Sequence, residues 1–131
     1  MIVLDTHVWV WYVSNPERLS NRAMKSLKTA ANENAIFISS ISAWEVALLV
    51  ANNRLQLTMD VTDWIVRSET LPFFQFVPVD NSIAVRSVNL PQPLHSDPAD
   101  RIIIATSHAI GASLITKDQK ILNYDHVKTI W

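Results

Sequence analysis

Asp5, Glu45, Asp100 and Asp118 are the side chains whose types and settings in this sequence could do chemistry together. Asp5 directly follows the apolar run 1–4, and Asp118 follows the run 113–116 with one residue between. Glu45 and Asp100 stand near the starts of two longer amphipathic segments. Two like charges ~4 Å apart repel by about 4 kcal/mol at an effective dielectric near 20, and four of them repel in every pairing. If the four meet, a hard divalent cation is required, and a donor set of oxygens without Cys or His favours Mg²⁺ or Mn²⁺ over zinc. Such an ion polarises a phosphoryl oxygen, lowers the pKa of a bound water and braces an in-line displacement.

Placing these acids takes short apolar runs that alternate with amphipathic stretches. The runs 1–4, 35–38, 76–79, 113–116 and 127–130 are too short for helices and rich in Ile, Val, Phe or Leu, which predicts strands. Between them, helices are predicted at 7–13, 20–32, 43–52, 61–70, 81–88 and 98–110. Such alternation implies an α/β fold with right-handed crossovers and a mainly parallel sheet covered on both faces. Ligands of such sheets gather beyond the carboxyl ends of the strands, where Asp5 and Asp118 stand.

Each acid also has a plain structural reading. Ser42-Ala43-Trp44-Glu45 has the spacing of a capping box. Asp97-Pro98-Ala99-Asp100 repeats that layout, with Asp97 as N-cap, proline at the first helical position and a second carboxylate at the third. Asp80 reads as another N-cap, and Gly111 as the left-handed cap that closes the helix after Ile110. A carboxylate at a helix N-terminus is favoured by about 0.3 to 1 kcal/mol without further purpose. On the residues alone, capping and catalysis therefore stand side by side. Asp97 is assigned to structure first, with contact to a metal-bound water second.

Composition closes off other chemistries. The 131 residues, 49% hydrophobic and without linker or repeat, predict one domain with its own core. Zero cysteines exclude disulfides, thiolate metal sites and cysteine nucleophiles. Gly111 is the only glycine, which excludes phosphate-cradling loops and the serine-hydrolase elbow. His7, His95, His108 and His126 form no pair at helical ligand spacing, so a zinc hydrolase is not expected. No apolar stretch approaches the ~20 residues of a membrane span, and a soluble, unprocessed, cytoplasmic chain is expected. A net charge of −1 supplies no general field for nucleic acid, so any such binding depends on a local patch, an assembly or a bound cation.

Leu4-Asp5-Thr6-His7 with Trp9 and Trp11, SSISAWE at 39–45, HSDPADRIIIATS at 95–107 and Thr116-Lys117-Asp118 closely resemble the PIN-domain ribonucleases, specifically toxins of the VapC type. The resemblance spans nearly the whole chain in order and spacing. It implies one PIN-like domain over 1–131, a Rossmann-like three-layer α/β/α sandwich with a mainly parallel sheet. The implied reaction is metal-dependent hydrolysis of RNA phosphodiesters with Mg²⁺ or Mn²⁺, held inactive by a cognate antitoxin protein, in a chain that forms a homodimer. Carried over by position, the family's acids fall on Asp5, Glu45, Asp100 and Asp118. Thr6, Ser39 and Thr116 resemble polar neighbours that orient acids or waters, although a turn or strand-end role suits Ser39 equally. Asn53 stands where the family often has a glycine, and asparagine tolerates the left-handed cap required there.

Several further expectations follow from the residues. The helix after Ser42 is apolar on nearly every side and is expected to be buried on more than one face; Trp9, Trp44 and Trp64 are expected in the core. Arg101 is read equally as a contact to phosphate or an antitoxin carboxylate and as a surface ion pair. His95 is expected to be a solvent-exposed loop histidine. Arg18, Arg22, Lys25 and Lys28 give the second helix a basic stretch. The principal rival keeps the fold and drops the chemistry, leaving a non-catalytic protein- or RNA-interaction module. Haloacid-dehalogenase-like phosphatases and phospho-receivers fail on spacing, because His7 stands where the former need a second aspartate and Asp5 lacks the acidic neighbour of the latter.

Overall fold

Five strands alternate with seven helices in a computed structural model that describes all residues, 1–131. β1 is Ile2–Leu4, β2 Ile36–Ser39, β3 Phe74–Val77, β4 Ser113–Ile115 and β5 Thr129–Ile130. The helices are α1 Thr6–Ser14, α2 Asn21–Asn32, α3 Ser40–Ala51, α4 Val61–Glu69, α5 Asn81–Val88, α6 Pro98–Ile110 and α7 Gln119–Leu122. A single 3-10 turn, Pro16–Arg18, follows α1. Every strand pairing is parallel, in the order β3-β2-β1-β4-β5. The α/β expectation holds. The order reverses between β1 and β4, which leaves a crevice at the carboxyl ends of these two central strands.

Side-chain alternation in β1 separates two cores. Ile2 and Leu4 point to one face, where they meet Val8, Trp9, Leu27, Val46 and Trp64. Val3 points to the other, against Ile103, Ile104, Leu114 and Ile121. Successive strand residues face opposite sides, so a strand buried on both must be apolar throughout, as β1 is. Each fully buried Leu or Ile contributes roughly 1.5–3 kcal/mol. This double anchoring fixes where β1 ends, and hence where Asp5 begins.

Most caps fall where the residues placed them. Asp97 accepts the Asp100 N–H at 3.0 Å and Asp80 the Ile83 N–H at 2.8 Å. Gly111 closes α6 at φ 69°, and Asn53 adopts the left-handed conformation at φ 57° after α3. The capping box at Ser42 does not form. α3 begins earlier, with Ser39 as its N-cap accepting the Ile41 N–H, so Glu45 lies in the second turn and its position owes nothing to the helix end. Trp9 and Trp64 are core residues as expected, with ring centroids 4.7 Å apart. Trp44 is not, at 56% exposure; Leu48, one turn on, is 43% exposed. α3 buries only Ser42 and Val46, so its apolar surface exceeds what the core takes up.

Candidate active site

Asp5 is placed by the end of β1 and the start of α1. Its N–H donates to the Ile115 carbonyl of β4, and its Oδ1 accepts the Thr6 N–H at 2.8 Å as N-cap of α1. The second oxygen accepts the Thr116 hydroxyl at 2.7 Å. Thr116 in turn accepts the Asp118 N–H at 3.0 Å, so one buried hydroxyl ties together the acids that follow β1 and β4. Asp118 caps α7 through its Oδ1, which accepts the Lys120 N–H at 2.8 Å. Asp5 is only 4% exposed. A carboxylate so buried requires such partners, since an unpaired one would cost several kcal/mol.

The other two acids arrive from helices. Glu45 projects from α3 and accepts the hydroxyl of Thr6, which also lies 2.9 Å from the Ser42 hydroxyl. Burial pushes its carboxyl up to about 7, against the lowering effect of the Thr6 bond and with the charges of Asp5, Asp100 and Asp97 adding to the rise. Asp100 follows the same pattern, pushed up by burial to about 6 despite a bond to His95 that lowers it. His95 Nε2 stands 2.7 Å from Asp100 Oδ2. The loop histidine is thus not a free surface residue; it holds one oxygen of an acid, and only the folded loop brings the two together.

Asp5, Glu45, Asp97, Asp100 and Asp118 line a single cavity of about 430 Å³ together with Thr6, His7, Trp11, Arg18 and Arg54. Their side chains do not close in threes on one point, as the mutual repulsion of like charges dictates. Asp97 stands exposed at the mouth, where it also sets the first turn of α6 beneath Asp100. Larger cavities exist, one of about 550 Å³ beside Trp64 and Arg67, but neither it nor the groove near His126 gathers acids.

Ser39 takes the strand-end role, whereas Arg101 and His7 depart from expectation. Ser39 is fully buried as the cap of α3 and does not line the cavity. Arg101 meets neither an acid nor the cavity. Its guanidinium donates to the carbonyls of Ser87, Val88, Leu94 and His95, bracing the segment between α5 and α6 that carries His95. His7, which its spacing did not single out, lines the cavity. Its Nε2 accepts the Lys117 N–H at 3.0 Å, so Nδ1 carries the proton and faces Asp5 Oδ2 at 3.6 Å. Burial pushes its pKa down, partly offset by the charge of Asp5. Nε2 is occupied by the Lys117 bond and Nδ1 faces a carboxylate, which leaves carboxylate oxygens as the main donors that the cavity offers.

Comparison with known proteins identifies the family. The model of the PIN domain family matches residues 2–127. The chain is 33% identical to "Ribonuclease VapC22" of Mycobacterium tuberculosis over 132 aligned residues, covering 99% of this chain and 98% of that protein. Among solved structures, FitAcB from Neisseria gonorrhoeae superposes with a TM-score of 0.70 at 23% identity, over 98% of this chain and 96% of that one. VapBC2 from Rickettsia felis, bound to a DNA fragment from its promoter, also gives 0.70, at 18% identity over 98% and 97%. The two structures share the fold, and the family match and the sequence relative fix the kinship: the chain belongs to the PIN-domain ribonucleases of the VapC type.

Proposed function

We propose that this chain is a cytoplasmic endoribonuclease in which Asp5, Glu45, Asp100 and Asp118 hold Mg²⁺ or Mn²⁺ and thereby promote hydrolysis of RNA phosphodiester bonds. One observation carries the reading: carboxylates from β1, α3, α6 and the end of β4 share one cavity, and two of them, Glu45 and Asp100, are pushed up by burial and by the charges of neighbouring acids. No lysine or arginine pairs with them, and their only charge contacts are to histidines, so a dication is the partner that suits them. The donors fit a hard ion, because they are oxygens and the imidazoles of His7 and His95 are already engaged. When bound, such an ion would polarise a phosphoryl oxygen and lower the pKa of a water.

The chain's own residues do the positioning. Thr116 fixes one oxygen of Asp5 and the backbone of Asp118. Thr6 orients Glu45, and His95 orients Asp100. Asp97 holds the first turn of α6, and Arg101 braces the loop from which His95 reaches in. Preset geometry of this kind lowers the cost of aligning water and phosphate.

The reading includes a cognate antitoxin and a homodimer. The relative from Rickettsia felis was crystallised as VapBC2, and the match from Klebsiella pneumoniae is a toxin–antitoxin complex. Trp44 and Leu48 on α3, with Val85 and Val88 on α5, expose apolar surface of the sort that partners cover.

Incubating purified wild type and Asp100→Asn with total RNA and Mg²⁺, then with EDTA, and sequencing the ends tests the proposal. Cleavage at defined sites is expected from wild type alone, and EDTA is expected to abolish it. Cutting by both proteins, or cutting indifferent to EDTA, would overturn it.

A further inference from the structure

The cavity that gathers the acids carries a second chemistry. Trp11, Arg18 and Arg54 line it alongside the carboxylates. Arg18 belongs to the 3-10 turn after α1 and lies outside the basic helix with which its spacing groups it. Its guanidinium carbon stands 4.4 Å from the centroid of the Trp11 ring, and the Lys117 ammonium stands 5.7 Å from the same ring. Trp11 is itself wedged, its centroid 4.9 Å from that of His7 and 6.1 Å from that of Trp131. Arg18 is exposed and pairs with no carboxylate, since the chain's two charge contacts are His7–Asp5 and His95–Asp100. A cation that shares a cavity with five acids and bonds to none of them has been held back by the aromatic face beneath it.

We infer that Arg18, seated on Trp11, grips the phosphate of the nucleotide next to the scissile one, with Lys117 adding charge at the same point. The inference rests on the ribonuclease reading above. A chain of net charge −1 with a ring of carboxylates repels RNA unless a cation is placed beside the acids. The planar guanidinium meets phosphate through two parallel N–H donors, and its outer face accepts a stacked base. RNA fits better than an acidic segment of a protein partner, because the reaction itself must draw a phosphodiester chain through this cavity.

The test is steady-state cleavage of a short RNA bearing the mapped site, in Mg²⁺, by wild type, Arg18→Ala, Arg18→Lys, Trp11→Ala and Trp11→Phe. Arg18→Ala is expected to raise KM about tenfold with kcat within about twofold, as loss of one charged hydrogen-bonding contact predicts. The slope of log affinity against log salt becomes shallower by about 0.7, the share of one phosphate on a single strand. Arg18→Lys restores that slope but only part of the affinity, because the ammonium lacks the planar fork. Trp11→Phe keeps an aromatic seat and stays near wild type. Trp11→Ala resembles Arg18→Ala, and the double variant is no worse than Arg18→Ala alone. An Arg18→Ala protein with unchanged KM and salt slope overturns the inference, as does one that cleaves normally but escapes an acidic protein inhibitor. Wild type that leaves the RNA whole overturns the ribonuclease reading as well, so the two failures are distinguishable.

Discussion

Leu4 and Asp5 are neighbours in the chain and belong to opposite regimes. Leu4 is fully buried in a core with Trp9, Ile38 and Ile115, where each apolar atom removed from water stabilises the fold. Asp5 is almost as buried, yet it belongs to a cavity where carboxylates are held near one another against desolvation and repulsion. The cores on both faces of the sheet offset a rim that the fold alone would not favour. A rim maintained at such a cost points to a ligand, which capping does not require. Glu45 makes the contrast sharpest. It sits in the second turn of α3, caps nothing, and carries a carboxyl pushed up to about 7.

If the contrast is real, truncation in the core and neutralisation at the rim must act in opposite directions. Trp9→Ala removes a fully buried ring that packs on Trp64 and Phe76. It is expected to cost about 3–5 kcal/mol, read as a lowered urea midpoint. Glu45→Gln is expected to reduce RNA cleavage by roughly 10²–10³-fold, the scale of losing one preorganised electrostatic group. The same variant should leave the metal-free protein at pH 8 more stable than wild type, since it removes a desolvated charge facing other acids. A Glu45→Gln protein less stable than wild type without metal would break the comparison, by showing that the Thr6 bond makes Glu45 a fold residue.

The same contrast explains what was legible beforehand. The core is written as local periodicity, and Asp97-Pro98, Asp80 and Gly111 are local signals too, so these elements were readable from neighbours in the chain. The rim depends on distant groups meeting. That His95 would hold Asp100, or that Arg101 would spend its donors on four carbonyls, follows from the path of the loop between α5 and α6 and from nothing nearby. Ser42 was misplaced as a cap because Ser39, Ser40 and Ser42 compete for one helix start, and pairing in β2 decides among them. Trp44 was expected in the core because apolar periodicity is the same whether a face meets the core or a partner. Asp5, Glu45, Asp100 and Asp118 were picked out through resemblance and order in the chain, since spacing alone left capping open for Asp5 and Asp118 and favoured it for Glu45 and Asp100.

A divalent ion should sharpen the comparison next. Mn²⁺ at about 100 times its dissociation constant stabilises a single-site protein by about 2.7 kcal/mol, if it binds the native state alone. Wild type is expected to show a shift of that order in thermal melting, and Asp118→Asn a much smaller one. Trp9→Ala, as far as it stays folded, should keep the full response. Equal responses from wild type and Asp118→Asn would remove Asp118 from the ion's surroundings.

The smallest expected effect is a pH dependence that runs opposite to that of most paired carboxylates. Glu45 and Asp100 hold protons more tightly in the fold than in the unfolded chain, at about 7 and about 6 against the usual carboxylate range. Between that range and about pH 7 the native state therefore binds more protons, and unfolding free energy falls as pH rises through the window. Burial is the leading cause in both groups, so the trend belongs to the metal-free protein. For EDTA-treated wild type, the loss between pH 5 and pH 8 is on the order of 1 kcal/mol once solvent screening at the open mouth is discounted. Glu45→Gln should flatten the part nearest pH 7 and leave the part nearest pH 6. With Mn²⁺ present the slope should reverse, because the ion binds the charged carboxylates and is displaced by protons as the pH falls. Urea titrations at pH 5, 6, 7 and 8 with and without Mn²⁺ read both slopes. A metal-free protein that gains stability across this window would mean that the two acids are satisfied by the fold itself, and the distinction between core and rim would be lost.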